Sequence, residues 1–583
     1  MLPGSGAMKS KPFFLKGLWP VALLAVFLGL AELPFAGFMA DDFIQLGTLE
    51  GVSSCGGRAP FRLYDIGDGN PDFVLALKNA GAFPWFFAPD FRMAFFRPLS
   101  SALLALDHRW FGLHPLGYRV HGVIWFLLLA AGLGCLLQRL FPRGLASLAL
   151  TLFIVSGIHG PLSWTATRHI VIAAALGVFG LYFHVRWRQD GWRAGRLLAL
   201  AALALSLTAG EAALGALAFV FAYEAFVVED SWRMRIRASL PPALLVLAYL
   251  LFYRLLGFGA SASSGYLNPL AEPLRFLAVL PGRMAVILGG MVAGGNVDLW
   301  VLRPPLRPLM VLTGALLAAL FAVLFRSAWK NSATPGRRTV RGLTAGAVLA
   351  AVPFSGTPIG SRCLVIPWIG GAAALAWVLH GWWTVLRRGP GNGRRLAGVA
   401  CALLAFIHLA LAPVQRLAAP FLLQRMMGTR LAAAMDVPAL ASERIAGKTV
   451  VLLNAPDIVV GLHSYFYRAL FRLSMPTAWR VLAWAPCAFR FSRLDAHTLS
   501  MEAVGGEVAS LRLQTGDIVR LQDMQASVTG HDANGITKAE FRFAVPLDDP
   551  RLYFLAWRDG RLQNVAPPSM GATLLLPAPA FEL

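Results

Sequence analysis

The chain has 583 residues, 57% of them hydrophobic and 14% charged, with a mean hydropathy of +0.61. That balance excludes an ordinary soluble globular protein. The formal net charge of +22 does not mark a nucleic-acid binder, because the Lys and Arg residues cluster in short segments between apolar runs, where they report membrane topology.

Apolar segments of about 15–23 residues recur through residue 414 and predict a polytopic all-α membrane protein. The first, 17–38, follows Lys9, Lys11 and Lys16 and reads as an uncleaved anchor. Further spans are expected at 117–139, 144–159, 168–187, 196–209, 211–228, 236–257, 306–327, 341–355, 363–385 and 396–414. The stretch 274–295 is apolar too. Placing the basic clusters at 186–196, 233–237, 326–341 and 387–395 on one side requires that 274–295 does not cross, so it is expected to be re-entrant or interfacial. About eleven crossings result, with the N-terminus inside and the C-terminus outside. The outward loops are then 39–116, 160–167, a tight turn at 210, 258–305 and 356–362.

From 415 the pattern changes: charge density rises and long apolar runs stop. Residues 448–457 read as a buried strand ending in a turn and 464–473 as a helix. Short alternating stretches at 508–513, 539–545 and 551–557 read as strands. Two domains are expected, a membrane domain over 1–414 and a mostly β, α+β extracytoplasmic domain over 415–583. Five cysteines are scattered; Cys55 and Cys487 would both lie outside and could pair, though their spacing does not demand it.

The polar residues of chemical interest fall in the outward loops. Asp41 and Asp42 follow the first span. A carboxylate at a bilayer edge is costly to place and can serve as a general base on a hydroxyl, because partial desolvation raises its proton affinity. Arg97 precedes a proline in F-F-R-P-L, and its guanidinium can grip a phosphate through two parallel hydrogen bonds or snorkel towards lipid headgroups. An acid pair and a cation in one loop beside a bilayer point to chemistry on a lipid-linked phosphate. Asp107 and His108 lie ten and eleven residues on, where a salt bridge or helix cap is the plainer role. His159, Arg168 and His169 flank the next outer turn and either contact phosphate or face water. Glu211 sits in so short a turn that it must face protein or a cavity. Arg362 ends another span, and Tyr266 with Asn268 occupies a loop that could close over substrate or simply be a loop.

The order of these motifs resembles the GT-C superfamily of glycosyltransferases: an acid pair after the first span, F-R-P-L at 96–99, Asp107, F-G-L-H-P-L-G-Y at 111–118, and R-C-L-V-I-P at 362–367. The nearest likeness is to the protein O-mannosyltransferase branch, including the O-mannosyltransferases with TPR repeats, over about residues 15–390. The resemblance implies transfer of a sugar from a polyprenyl-phosphate donor to an acceptor hydroxyl on the outer face, with inversion. It implies Asp41 as base, Asp42 as its orienting neighbour, and Arg97, Arg168 and Arg362 on the donor phosphate. Glu211 matches the acid of a K-E pair, here G-E, and Arg168 the arginine of a G-R pair, here T-R. No TPR array follows, which puts a protein acceptor in doubt; glycan, lipid and protein acceptors stay open. No cofactor or divalent metal is expected, and the expected location is a bacterial inner membrane with residues 415–583 in the periplasm. A flippase or transporter of a lipid-linked glycan, and a non-catalytic envelope assembly protein, are the competing readings.

Overall fold

In the computed structural model the described residues are 18–52, 61–263, 265–295, 297–331, 336–386, 394–509, 512–532 and 535–579. Cys55 lies outside them, while Cys487 is a buried free thiol. Residues 18–435 are mostly helical, and a β-rich region follows.

Six helices are long and apolar enough, by length and composition, to cross a membrane: Pro115–Leu140, Thr165–Asp190, Trp232–Leu255, Pro273–Val292, Pro304–Lys330 and Arg395–Met435. Trp19–Phe35, Arg143–Val155 and Ala213–Phe226 are shorter apolar helices. Leucines exposed along Pro304–Lys330, such as Leu309, Leu312, Leu316 and Leu320, find no protein cover and suit lipid contact.

Two findings refine the span reading. The last apolar helix does not stop at 414 but continues to Met435, because residues 415–435 are rich in Ala, Leu, Met, Gln and Arg, which sustain a helix after the purely apolar run ends. The membrane helix thus runs straight into the C-terminal region. Pro273–Val292, at 20 residues, spans about 30 Å and meets the length criterion for a crossing. Its contacts nevertheless lead back to one segment: Arg283 Nη1 donates to Ser355 O at 2.7 Å, and just past its C-terminus Asp298 Oδ1 accepts from Ser361 N at 2.9 Å. The middle of the helix and the turn beyond its C-terminus therefore both meet 355–361. Against Arg307–Asn331 it makes one tight crossing, where a Cβ on Gly289 would lie 2.3 Å from Gly314 Cα.

The segment 39–116 carries helices Asp41–Leu49, Pro71–Ala80 and Pro98–Phe111. A small antiparallel sheet joins Asp65–Asp68 to Arg92–Ala94 and then to Gly259–Ser261. Beyond Met435, Thr449–Leu452 lies parallel to both Leu552–Arg558 and Ala478–Val481, and Arg561–Asn564 completes this mixed sheet. The intervening helix Ile458–Leu470 begins six residues before the helix read from sequence, with Asp457 as its N-cap accepting from Val460 N at 3.0 Å. A second, antiparallel sheet of seven strands contains Thr498–Val504, Met524–His531 and Gly535–Phe543. Of the expected strand 508–513, Val508–Ala509 is a strand, and 510–511 lie outside the described residues.

The loop and the C-terminal region share one core. Phe43, Val74, Leu77 and Phe83 pack with Val450, Leu452, Phe466 and Trp479. Trp85 enters the C-terminal sheets, where its Nε1 donates to Leu482 O at 2.9 Å. Buried Arg480 donates to Lys78 O at 2.6 Å and Asn79 O at 3.0 Å. Gly81, with φ +84, lets the chain pass Trp479: a Cβ there would lie 2.5 Å from Trp479 O. Any membrane topology must therefore leave 39–116 and 436–579 on the same face.

Candidate active site

The first apolar helix ends near Glu32, and the chain re-enters a helix at Asp41 through Ala40, whose φ of +45 is unusual for a residue with a Cβ. Such a conformation costs about 1–3 kcal/mol and persists only where the surroundings hold it. Holding it here is Asp42. Its buried carboxylate accepts from Met39 N at 3.0 Å and from Ala166 N at 2.7 Å, tying the helix start to the 165–167 turn. Burial outweighs those two N–H groups and raises the Asp42 carboxyl to about 7, with neighbouring Asp41 adding to the rise. Asp41 differs. Its side chain is 38% exposed, and Oδ1 accepts from His463 Nε2 at 3.2 Å. Adjacent in sequence, the two acids are thus separated in role: Asp42 is spent on backbone amides, and Asp41 is the accessible carboxylate.

Arg97 stands at the N-cap of the helix Pro98–Phe111. Its Nε donates to Glu211 Oε2 at 2.9 Å, and Tyr253 OH donates to Glu211 Oε1 at 3.0 Å. The guanidinium carbon lies 4.8 Å from the ring centre of Tyr64 and 4.4 Å from that of Phe95. One ion pair and two aromatic faces fix the guanidinium plane, and no hydrogen bond to its terminal nitrogens is found among the described residues. Gly210 allows this approach: a Cβ there would sit 2.9 Å from His169 Nδ1 and 3.6 Å from Arg97 Cγ. His169 packs edge-on to Tyr64 with ring centres 5.5 Å apart.

Arg362 closes the group. Its Nη2 donates to Pro358 O at 3.2 Å. The Tyr266 hydroxyl lies within electrostatic reach of Arg362, Arg97 and Asp41, and Arg362 itself within reach of Asp41. Tyr266 also packs on Phe95, with ring centres 5.4 Å apart. Asp41, Arg97, His169, Glu211, Tyr266 and Arg362 are therefore drawn from distant segments into one neighbourhood. Asn268, by contrast, turns back on its own loop, accepting from Leu270 N at 3.0 Å.

Four of the residues singled out from sequence stand apart from this group or are already committed. Buried Arg168 donates to Asp107 Oδ2 at 2.5 Å and to Tyr118 O at 3.2 Å. The other Asp107 oxygen accepts from His121 Nδ1 at 2.6 Å, and Trp125 donates to His121 Nε2 at 3.0 Å. This chain of bonds locks Pro98–Phe111 to the start of Pro115–Leu140. The Arg168 guanidinium still lies within electrostatic reach of Tyr64. His108 pairs with Glu50 at 2.9 Å, nearer the surface. His159 is buried between Phe126 and Phe153, with Nε2 donating to Phe153 O at 2.7 Å.

Sequence reasoning did not single out Tyr64, Tyr253 or His463. Nor did it find the buried pair in which Arg416 donates to Glu32 Oε1 at 3.2 Å and to Ile154 O at 3.0 Å, while Ser163 donates to Glu32 Oε2 at 3.1 Å. That pair links the end of the first helix to the long helix entering the C-terminal region. For His463 the available signal was Asp457, an N-cap that would have extended the helix over it. No group of three or more His, Cys, Asp or Glu among the described residues is arranged to hold a metal ion.

No known family profile matches the chain, and no curated protein matches it. Among solved structures it is similar to ArnT from Cupriavidus metallidurans bound to undecaprenyl phosphate, at 14% identity and a TM-score of 0.37, over 78% of this chain and 84% of that one. It is similar to the apo state of the same protein at 14% identity and a TM-score of 0.38, over 77% of this chain and 84% of that one. A likeness this loose leaves the functional reading to rest on the residues themselves.

Proposed function

We propose that the protein is a membrane glycosyltransferase that moves a sugar from a polyprenyl-phosphate donor to an acceptor hydroxyl on the face carrying 39–116 and 436–579. The observation that carries the reading is one accessible carboxylate, Asp41, within electrostatic reach of Arg362, with Arg97 sharing Tyr266 with both, beside apolar helices. An acid and two cations around one point suit an in-line displacement at an anomeric carbon. The acceptor oxygen bonds to that carbon as its proton passes to Asp41, and the carbon–oxygen bond to the phosphate breaks with its electron pair leaving on the phosphate. Attack opposite the leaving group inverts the configuration.

Arg97 and Arg362 would hold the charge that grows on the departing phosphate, and groups of this kind contribute about 10²–10³ in rate. A positioned base contributes about 10²–10⁴. Arg168, engaged with Asp107, would act on the phosphate only through its field or through Tyr64. Glu211 orients Arg97. The scheme stands at the level of the superfamily; residues 95–121 are the most specific portion of the O-mannosyltransferase resemblance. The face in question would be the periplasmic side of a bacterial inner membrane, the orientation that the basic clusters favour.

The test uses purified protein in proteoliposomes with polyprenyl-phosphate donors carrying radiolabelled pentoses and hexoses, and reads free polyprenyl phosphate and labelled product. Wild-type protein is expected to release polyprenyl phosphate from at least one donor, and Asp41→Asn to lower turnover by about 10²–10⁴ while inserting normally. Translocation of intact donor with no cleavage of the sugar–phosphate bond would replace this reading with the transporter. Full turnover by Asp41→Asn would remove Asp41 as the base.

A further inference from the structure

We propose that the C-terminal domain takes part in the reaction centre, and that His463 is a positioning residue that orients Asp41. The inference rests on the reading of Asp41 as the base and goes beyond it by assigning a role to residues 436–579.

His463 lies on the helix Ile458–Leu470, which packs directly on the helix Asp41–Leu49. Two edge-on aromatic contacts fix that packing, Phe43 to Tyr467 at 5.2 Å and Phe43 to Phe471 at 6.3 Å between ring centres. Arg430, near the end of the long helix, pins the other end of the same element by donating to its cap, Asp457, at 2.7 Å. The imidazole is 4% exposed, so it is fixed by packing, whereas the Asp41 carboxylate it touches is open to solvent. The Nδ1 atom of His463 is buried without a partner among the described residues. A proton there would be an unsatisfied buried donor, so the proton sits on Nε2 and points at Asp41 Oδ1.

This bond does two things. It fixes the rotation of a carboxylate that has no other hydrogen-bond partner among the described residues, and it leaves Oδ2 to receive the acceptor proton. A base held in one orientation avoids the loss that follows from misplacing a reacting group by even about an ångström. The contact spans 422 residues of sequence, so base and orienter meet only when the C-terminal domain is docked. Docking is anchored elsewhere, by Trp85, Arg480 and the Gly81 crossing, which makes His463 removable without undoing it.

The experiment compares full-length wild-type, His463→Phe, His463→Gln and Asp41→Asn proteins in the same proteoliposomes, reading kcat and donor KM separately. His463→Phe is expected to lower kcat by about 10–100-fold, the scale of lost orienting contacts in other sites, with donor KM within about twofold. His463→Gln, whose amide can donate to Asp41, is expected to recover most of that loss. Equal impairment of the Phe and Gln variants would overturn the inference, since volume rather than hydrogen-bond donation would then matter. A rise in donor KM with unchanged kcat would also overturn it. If His463→Phe keeps full turnover while Asp41→Asn is inactive, only the positioning role fails. If Asp41→Asn is itself active, the underlying reading fails as well.

Discussion

Arg97→Lys keeps the positive charge and removes the geometry, which makes it the sharpest probe of how the donor phosphate is held. In the structure the guanidinium is 12% exposed, bonded through Nε to Glu211 at 2.9 Å, and faced by the rings of Phe95 and Tyr64 at 4.4 and 4.8 Å. A lysine ammonium is a point charge. It cannot stay on Glu211 through one nitrogen while offering two parallel N–H bonds to a phosphate. Each lost cation–ring contact is worth about 0.5–2 kcal/mol, and a lost donor to a developing anion about 2.7–4 kcal/mol. Part of the latter survives, because the charge remains nearby. The expected outcome is a fall of about 10–100-fold in kcat/KM for the donor, equivalent to about 1.4–2.8 kcal/mol, with the acceptor KM little changed. The assay is release of polyprenyl phosphate at saturating acceptor. A variant within twofold of wild type, or one impaired equally for donor and acceptor, would refute the assignment of Arg97 to the donor phosphate.

Other consequences follow from the same geometry. Asp42, raised by burial to about 7, should show a protonated-carboxyl infrared band at pH 6 that disappears above pH 8 and is missing from Asp42→Asn; no pH-dependent band in wild type would contradict its burial. Because the folded protein holds this proton more tightly than the unfolded chain, the group's contribution to stability is fully present below the ordinary value of 3.8 and is lost as pH rises through about 7. Melting in detergent should therefore drop across that window, and the drop should shrink in Asp42→Asn. Gly81→Ala forces a Cβ against Trp479 at a positive φ and should destabilise the docked loop by about 2–4 kcal/mol, from strain plus overpacking. Limited proteolysis within 436–579 should accelerate, and unchanged melting and digestion would show that the loop gives way easily.

The apolar, mostly helical membrane class was legible in the sequence, and Asp41 and Arg97 stood out there as polar residues beside apolar segments, for a physical reason. Hydrophobic length and basic clusters are local signals, and a bilayer reads them locally. The strands of the C-terminal region were legible likewise from alternation, as in Gly535–Phe543 and Leu552–Arg558. Residue type and spacing alone did not separate Asp41 from Asp42, two like residues side by side that only the family resemblance had told apart. Tertiary structure separates them, since only there do Met39 and Ala166 claim one carboxylate while the other stays open to His463. The same holds for the arginines: Arg97 and Arg168 look equivalent along the chain, yet Asp107 lies under one and Glu211 beside the other. Partners 61 to 422 residues apart leave no trace in spacing or periodicity. Their meeting is decided by which buried faces pack together, and that is a property of the folded chain as a whole.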